Sequence, residues 1–386
     1  MLLVGNSAGS ANRLAVCMMV RNEAGFLRNA LRSLGGIHDA LHVTDTGSDD
    51  DSVSVAEAFG AHVRTYLWTG QFGDARSASI SGVAEEWILV MDADDEFPEA
   101  EAGKLREMIH GAGPEVLAGT ISYECHRDHS PMKAMRLLRN VPGLCYRGRI
   151  HEYPDFGAPL RASQVRHFPV RLVHRGEMPG DEAGNKDRRN LPMLRAEWED
   201  VREAGDSVRR MEIGSCLAQT LMALGETDAA VARLDDLLRP VLAGSGHGIP
   251  VATVLRAWVR WLHVLGRHGG NQAVLRVARD AEPALGHAVV YALHRGMAEI
   301  GAGFMTAALP WLERFALQRE EAEIPVPKDC LGARLELMLA SGHQAAGNRD
   351  RVSYHCRRAM EAAPEDFEIR LRVRLLTGGA TNYAST

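Results

Sequence analysis

Four acidic residues occur within five positions at Asp92-Ala93-Asp94-Asp95-Glu96, directly after the apolar run 87–91. Like charges this close repel one another and destabilise a fold unless a cation or a helix N-terminus offsets them. A hard divalent ion, held by one or two carboxylates and by substrate phosphates, is the usual solution. The alternative is an acidic turn that caps the next helix, since Pro98 suits a first helical turn. Because the acids follow a buried strand, the pattern favours a metal site.

Two polar residues elsewhere could hold a nucleotide. Asp45 ends the apolar run 40–44, where a carboxylate can accept hydrogen bonds from a base or a ribose. Arg76 lies at a predicted helix start after Phe72-Gly73-Asp74-Ala75, and an arginine fork donates two parallel hydrogen bonds to a diphosphate. Other arginines flank a Gly-rich turn, and these are Arg136, Arg139, Arg147 and Arg149. Since most surface arginines are merely solvated, we single out Arg76.

Three further residues could take part in catalysis or metal binding. Glu152, which follows His151, could deprotonate an acceptor as a general base. His174 ends another apolar run and could complete a metal shell. Taken alone, each of these is more often a structural residue. Cys125, His126 and His129 superficially suggest zinc, but they lack the second pair that a closed site needs.

The elements that would position these residues follow from the apolar pattern. Strands are predicted over 14–20, 40–44, 61–66 and 87–91, with helices over 23–34 and about 51–59. Strands separated by such helices form βαβ units, so we expect an α/β fold with a mostly parallel sheet. Ligands bind beyond the carboxyl ends of such strands. This rule brings together Asn22-Glu23, Asp45-Thr46-Gly47 and Asp92-Ala93-Asp94.

Ala- and Leu-rich helical patterns replace the strands from about Asn190 onward. Helix pairs are predicted over 211–238, 251–281, 288–315 and 331–363, each with a glycine near its middle turn, namely Gly225, Gly266, Gly301 and Gly347. The unequal spacing of these glycines indicates irregular tetratricopeptide-like repeats, with an ordinary helical bundle as the alternative. We therefore predict two domains, residues 1–189 and an all-α domain over residues 190–386.

The overall composition argues against several classes of protein. A chain of 386 residues exceeds what one core usually organises, and a net charge of −6 without a basic block argues against a nucleic-acid partner. Six scattered cysteines without a CxxC pair indicate reduced thiols. No signal peptide or transmembrane segment is expected, since Met1–Ser7 lacks a basic region and no apolar run is long enough. Together these features predict a cytoplasmic protein.

With these residues in place, the sequence resembles family 2 glycosyltransferases, particularly the bacterial kind fused to tetratricopeptide-like repeats. The matching segments are Cys17–Glu23, Val43–Ser48 and Trp87–Asp94, with weaker matches at Phe72–Arg76, Arg136–Asn140, Arg149–Glu152 and Val173-His174. They follow the family's order over roughly 160 residues. The resemblance implies a GT-A fold, a Rossmann-like sheet that binds a nucleoside diphosphate with Mn²⁺ or Mg²⁺.

Roles for individual residues are implied by the same resemblance. Met19, Val20, Arg21 and Glu23 would line the nucleobase, and Asp45 and Arg76 would hold the nucleotide. Asp92 would face ribose or metal, Asp94 would ligate the metal, and His174 would be an extra ligand. Glu152 matches the family's acidic base, although His151 beside it leaves the assignment open. Ser77 stands where related sequences usually have Asn, which would alter the hydrogen bonding there.

The resemblance implies an inverting transferase that uses a nucleoside-diphosphate sugar, with a UDP-sugar favoured and the acceptor unknown. The helical domain would form a homodimer or present a concave surface to a large acceptor. Two alternative functions are considered, a nucleotidyltransferase and a non-enzymatic scaffold. A nucleotidyltransferase would carry a Gly-rich basic loop after its first strand, where this chain has Arg21-Asn22-Glu23-Ala24-Gly25. A non-enzymatic helical scaffold would not be expected to retain Asp45, Asp92, Asp94 and Glu152.

Overall fold

The fold is described from a computed structural model over residues 12–124, 131–176, 185–246 and 248–378. The expectations for Met1–Ser7 and for Cys125, His126 and His129 lie outside these residues. The chain divides into two compact units, the first ending at Glu197 and the second beginning at Trp198. The limits 1–189 and 190–386 remain our proposal for the domains. Within the described residues, no helix is both long and apolar enough to cross a bilayer.

The first unit is built on an eight-stranded sheet with the strand order β3-β2-β1-β4-β7-β6-β10-β5. The strands in the described residues of this unit are β1 (Leu14–Val20), β2 (Ala40–Asp45), β3 (His62–Thr65), β4 (Trp87–Asp92), β5 (Asp95–Glu96), β6 (Ala118–Glu124), β7 (Met132–Arg139), β8 (Cys145–Arg147), β9 (Tyr153–Asp155) and β10 (Val165–His174). Strands β8 and β9 form a separate two-stranded ribbon. The four strands predicted from the sequence, β1 to β4, are confirmed and lie side by side in parallel.

The central strand β1 is buried on both faces, as expected for a parallel sheet covered by helices. Leu14, Val16 and Met18 pack on one face, and Ala15 and Cys17 pack on the other. The helices of this unit are α1 (Ala24–Ser33), α2 (Ser52–Ala58), α3 (Phe72–Ile80), α4 (Glu99–His110) and α5 (Asn185–Ala204), which continues into the second unit. The first two were predicted within two residues.

The described residues of the second unit form helices and the turns between them. They are α6 (Ser207–Ala223), α7 (Thr227–Pro240), α8 (Val251–His268), α9 (Gly270–Asp280), α10 (Glu282–Leu285), α11 (Val289–Gly301), α12 (Met305–Gln318), α13 (Gly332–Ala345), α14 (Arg349–Ala362) and α15 (Phe367–Leu376). Four helix–turn–helix pairs are present where they were predicted, and each pair contacts the next. The predicted fold class, an α/β sheet followed by an all-α helical domain, is confirmed.

The structure differs from the sequence-based prediction in three places. The α8–α9 turn lies at Gly269 and Gly270, where Gly270 has a φ of +71°, so Gly266 is a residue within α8 and not the turn. Helix α15 follows the fourth predicted pair and was not predicted. The sheet also continues beyond β4 through β7, which is antiparallel to both β4 and β6.

Candidate active site

The strand ends of the sheet bring the candidate residues together. In the register of the sheet, Val20 pairs with Asp45, Met19 pairs with Asp92, and His174 pairs with Asp95. The carboxyl ends of β1, β2 and β4 therefore lie side by side. Strand β10 adds its own carboxyl end through its antiparallel pairing with β5, so one edge of the sheet carries most of the predicted polar residues.

Asp92 lies between two arginines. Its Oδ1 accepts a hydrogen bond from Arg76 Nη2 at 2.6 Å, and its Oδ2 accepts one from Arg136 Nη2 at 2.8 Å. Burial tends to raise the pKa of Asp92, but Arg136 and Arg76 together hold that pKa well below its usual range. Arg76 is only 5% exposed, and its Nη1 has no hydrogen-bond partner among the described residues.

The buried side chain of Asp95 holds the acidic turn through hydrogen bonds. Its side chain is fully buried and accepts hydrogen bonds from the Asp92 backbone N–H at 2.9 Å and from the Tyr123 hydroxyl at 2.8 Å. The Nδ1 atom of His174 lies 3.0 Å from Asp95 Oδ1 and 3.0 Å from the Tyr123 hydroxyl. The hydrogen bond to Asp95 raises the pKa of His174 against the opposing effect of burial. These contacts fix the imidazole ring through one nitrogen.

Asp94, Asp95 and His174 form a cluster whose potential ligand atoms all lie within 4.8 Å of one another. Burial raises the pKa of Asp94, and the neighbouring carboxylates of Asp95 and Asp92 raise it further, while His174 lowers it. Carboxylate oxygens and imidazole nitrogen are ligands that suit Mn²⁺, and carboxylates suit Mg²⁺. The donor set therefore fits a divalent cation.

Gly176 packs closely against this cluster. A Cβ at this position would lie within contact distance of Asp94 Oδ2 and 2.7 Å from His174 Nε2. The same hypothetical atom would thus touch both the carboxylate oxygen and the imidazole nitrogen that Asp95 and Tyr123 leave unbonded. Asp94 Oδ2 and His174 Nε2 therefore lie close to each other, and only glycine lets the backbone approach them here.

Glu152 joins the same network through Arg76. Its Oε1 accepts a hydrogen bond from Arg76 Nε at 3.2 Å, and its side chain is 17% exposed. His151 next to it is exposed and has a φ of +53°, a left-handed conformation that is uncommon for a residue other than glycine. The two neighbouring side chains therefore differ in exposure, since Glu152 lies in the network and His151 is exposed.

The loop that carries His151 is fixed to α3 by close backbone packing. The backbone N–H groups of Phe72 and Gly73 donate to the carbonyl oxygens of Arg149 and Gly148 at 2.9 and 3.0 Å. A Cβ on Gly73 would lie 2.6 Å from the Gly148 oxygen, so this approach requires glycine. The docking places Arg76, one turn further along α3, against Glu152.

Glu23 and Asp45 lie at the other side of this edge. Burial raises the pKa of Glu23 to about 7, with contributions from the charges of Asp94 and Asp50. The negative charge of Asp94 therefore acts on the carboxyl group of Glu23. The carboxylate of Asp45 accepts hydrogen bonds from the backbone N–H groups of Gly47 and Ser48, both at 3.1 Å. Asp45 is only 5% exposed and in this state holds its own turn.

The remaining predicted nucleobase residues have different surroundings. Met19 is half-buried and Arg21 is exposed. The side chain of Val20 is 2% exposed and packs in the core, and its carbonyl accepts from both the backbone N–H and the hydroxyl of Thr46. The structure therefore brings Arg76, Asp92, Asp94, Glu152 and His174 into one network, while Val20 turns its side chain away from it.

Two residues of this site, Tyr123 and Arg136, were not selected by the sequence analysis. Tyr123 fixes both Asp95 and His174, and the guanidinium of Arg136 lies 4.7 Å from the centre of its ring. Both residues belong to β6 and β7, whose pairing with the first four strands cannot be inferred from apolar periodicity. The available signal was the position of Tyr123 near the end of an alternating strand pattern.

Comparison with known proteins identifies a matching family and several relatives. Residues 15–166 match the family model described as glycosyl transferase family 2. A TPR repeat-containing protein of Synechococcus elongatus is 34% identical over 145 residues, which cover 37% of this chain and 36% of that protein. An uncharacterized glycosyltransferase of Rickettsia felis is 36% identical over 85 residues, which cover 22% of this chain and 30% of that protein. The chain thus spans about a third of the length of these curated relatives.

Among solved structures, the chain is similar to glucosyl-3-phosphoglycerate synthase from Mycobacterium tuberculosis, determined in complex with Mn²⁺ and uridine-diphosphate-glucose. The identity is 15%, the TM-score is 0.36, and the match covers 48% of this chain and 78% of that one. The family match and the glycosyltransferase relatives identify residues 15–166 as a family 2 glycosyltransferase domain.

Proposed function

We propose that this chain, which carries a family 2 glycosyltransferase domain, transfers a sugar from a nucleoside-diphosphate sugar to a nucleophilic acceptor with inversion at the anomeric carbon. The observation that carries the proposal is the network at the end of β4, where an ion cluster of Asp94, Asp95 and His174 adjoins the pair Arg76–Glu152 through Asp92. A diphosphate leaving group and a proton acceptor are the two requirements of direct displacement, and this network contains groups suited to each.

Asp94 and His174 would hold a divalent cation, with Asp95 and Tyr123 fixing the imidazole ring from behind. When bound there, Mn²⁺ or Mg²⁺ supplies positive charge that offsets the charge of the departing diphosphate. The closeness of Asp94 Oδ2 and His174 Nε2, both of which lie beside Gly176, supports this assignment. Arg76 supports the phosphate assignment, since its buried Nη1 has no hydrogen-bond partner in the part of the chain that the structure describes, and a phosphate oxygen would satisfy it.

The acceptor's proton would go to Glu152. Arg76 bonds Oε1 and so orients the carboxylate, and we assign proton acceptance to Oε2. In the displacement, the acceptor oxygen, nitrogen or sulfur forms a bond to the anomeric carbon while the bond to the diphosphate breaks, and the released proton moves to Glu152. The contact with Arg76 favours Glu152 over the exposed His151 as the base.

Met19, Arg21, Glu23 and Asp45 would contact the nucleoside, with the donor a UDP-sugar on the resemblance to the family. For Asp45, nucleoside binding requires that its carboxylate accept a ligand in addition to the N–H groups of Gly47 and Ser48. Each carboxylate oxygen has two lone pairs, so Asp45 can accept a further hydrogen bond while it keeps those from the turn.

The experiment that tests the proposal is calorimetric titration of the protein with UDP, GDP and dTDP, each with and without Mn²⁺. We expect one nucleotide to bind in a metal-dependent manner, and its identity names the base of the donor. Asp94→Ala should abolish the metal dependence while the circular dichroism spectrum stays unchanged. Equal affinity with and without Mn²⁺ in the unchanged protein would remove the metal from the proposal, and no binding of any nucleotide would overturn the donor assignment.

A further inference from the structure

The backbone of Arg149 is hydrogen-bonded to two helices of the first unit. Its carbonyl oxygen accepts a hydrogen bond from the Phe72 N–H of α3 at 2.9 Å. Its own N–H donates to Glu197 Oε2 of α5 at 2.7 Å. Arg149 lies three residues before Glu152 in the chain. The segment that carries the proposed base is therefore tied to both helices.

Glu197 is buried although its side chain carries a carboxylate. It is 5% exposed and lies within α5, a helix of 20 residues. Removing a carboxylate from water destabilises a folded chain unless hydrogen bonds replace the lost hydration. The N–H of Arg149 supplies such a bond, and a carboxylate accepts it more strongly than a neutral group does. The contact is therefore suited to fixing a loop backbone to a long helix.

Helix α3, which carries Arg76, holds the same loop at an earlier point. The Oγ atom of Ser77 accepts from the Tyr146 N–H at 2.8 Å and donates to the Tyr146 carbonyl oxygen at 3.1 Å. The contact made by Glu197 comes from a different helix and lies nearer in the chain to Glu152. It therefore adds a restraint that α3 does not supply.

His151 shows why this loop needs such a restraint. It lies between Arg149 and Glu152 and has a φ of +53°. A residue with a side chain keeps this unfavourable conformation only where surrounding contacts hold it. The two hydrogen bonds at Arg149 are contacts of this kind. They help to keep Glu152 Oε1 at 3.2 Å from Arg76 Nε.

We propose that Glu197 is a positioning residue for the transfer reaction. By accepting the hydrogen bond from the Arg149 N–H, it holds the loop so that Glu152 stays against Arg76 and in place to take the acceptor's proton. Glu197 acts through the loop backbone and takes no proton itself. The proposal rests on the proposed function, because it takes Glu152 as the base.

Hydrogen–deuterium exchange of the full chain tests the contact independently of activity. Glu197→Ala removes the acceptor of the Arg149 N–H, so residues 147–152 should exchange about tenfold faster while β1 and β4 keep their protection. Glu197→Gln retains an oxygen that can accept the same bond and should exchange like the unchanged protein. Glu85→Ala is the matched control, since Glu85 is also 5% exposed but bonds Arg13 at 3.0 Å. It should leave the exchange of residues 147–152 unchanged.

Steady-state kinetics with the identified donor tests the consequence for catalysis. Glu197→Ala should lower kcat by about 10–100-fold and leave the dissociation constant of the nucleotide unchanged, because only the base is misplaced. Glu197→Gln should restore most of the lost kcat. In a Glu152→Gln background, Glu197→Ala should cost little further, since the base that it positions is already lost. A general folding defect would lower kcat by the same factor in both backgrounds.

The outcomes separate this proposal from the proposed function. Unchanged exchange of residues 147–152 in Glu197→Ala, full kcat in that variant, or an equal loss of kcat in the two backgrounds overturns the positioning role alone. Full kcat in Glu152→Gln removes the base assignment and overturns the positioning role with it. A protein that binds no nucleotide overturns the proposed function and this proposal together.

Discussion

Asp92 and Asp94 are two residues apart and lie in opposite electrostatic environments. Two arginines lower the pKa of Asp92 and keep its carboxylate ionised. In contrast, burial and the neighbouring carboxylates raise the pKa of Asp94. Arg136 lies 3.9 Å from Asp95 and His174 lies 3.4 Å from Asp94, so the carboxylate charge at Asp94 and Asp95 is only partly compensated. A bound cation would supply the missing charge, and this is the residue-level reason for placing the ion at Asp94.

Glu152→Gln tests the proton acceptor. Glutamine keeps an oxygen that Arg76 can bond but has no basic carboxylate, so donor binding should persist while kcat falls by about 10²–10⁴-fold. Steady-state kinetics with the identified donor, together with nucleotide titration, separates the two effects. His151→Gln is the neighbouring control and should lose little activity. A variant Glu152→Gln with full kcat would move the role to His151 or to another group.

The pKa of Glu23 predicts a pH dependence of stability. In the folded chain this pKa is raised from 4.5 to about 7, so the folded state holds the proton more tightly than the unfolded state does. The resulting penalty is absent below pH 4.5, grows as the pH rises to 7, and is fully present above it. Glu23→Gln should therefore raise Tm at pH 8 and leave it unchanged at pH 4.5.

The size of this effect is reduced by solvent, because Glu23 is only half-buried. We expect about 1–2 kcal/mol, or a few degrees in Tm, measured in the presence of a chelator. Glu320→Gln is the control, since the Glu320 side chain is 93% exposed, and it should leave Tm unchanged at both pH values. An equal shift of Tm at pH 4.5 and pH 8 in Glu23→Gln would mean that the carboxylate charge is not its cause.

Close backbone contacts at the ends of strands and helices position the residues of the site. The turn after β10 brings Gly176 against Asp94 and His174, and the N-terminus of α3 brings Gly73 against Gly148. Both approaches lie at element ends and both exclude a side chain. The ion cluster and the pair Arg76–Glu152 are therefore positioned by backbone contacts in addition to their own hydrogen bonds.

Gly176→Ala should weaken the ion site without unfolding the chain. Its Cβ would displace the Asp94 carboxylate and His174, and we expect Mn²⁺ affinity to fall by about 10–100-fold, the range seen when supporting contacts of a metal site are lost. Titration with Mn²⁺ measures this loss directly. Gly25→Ala is the control, since a Cβ there meets nothing within 4 Å. Unchanged Mn²⁺ affinity in Gly176→Ala would place the ion elsewhere.

The elements also explain which parts of the site could be predicted. Strands β1 to β4 have local apolar patterns, and acids at their ends must converge in a parallel sheet, so Asp45, Asp92 and Asp94 could be selected. Tyr123 and Arg136 could not, because β6 and β7 join the sheet through pairing that depends on distant residues. Helix α15 was missed because its two apolar sides obscure the periodicity of a one-sided helix.

On the scale of the whole molecule, the two units have separate stabilising contacts. The first has the sheet core around Leu14, Val16 and Met18. The second contains Glu299, which is 1% exposed and is bonded by Arg295 at 2.8 Å and by Arg279 at 3.0 Å. Since each unit has its own core and its own buried ion pairs, we expect two thermal transitions, each sensitive to a different perturbation.

Differential scanning calorimetry with and without Mn²⁺ and the bound nucleotide tests this expectation. Ligand at about 100 times its dissociation constant stabilises the binding unit by about 2.7 kcal/mol, so one transition should rise by roughly 5–10 °C. Glu299→Gln leaves buried guanidinium charge without its full partner and should cost about 3–5 kcal/mol, which lowers the other transition by roughly 10 °C. Asp94→Ala should remove the ligand-induced rise and leave the Glu299-sensitive transition in place. If ligand and Glu299→Gln instead move one common transition, the units unfold together, and the stability of the transferase domain depends on the helical domain.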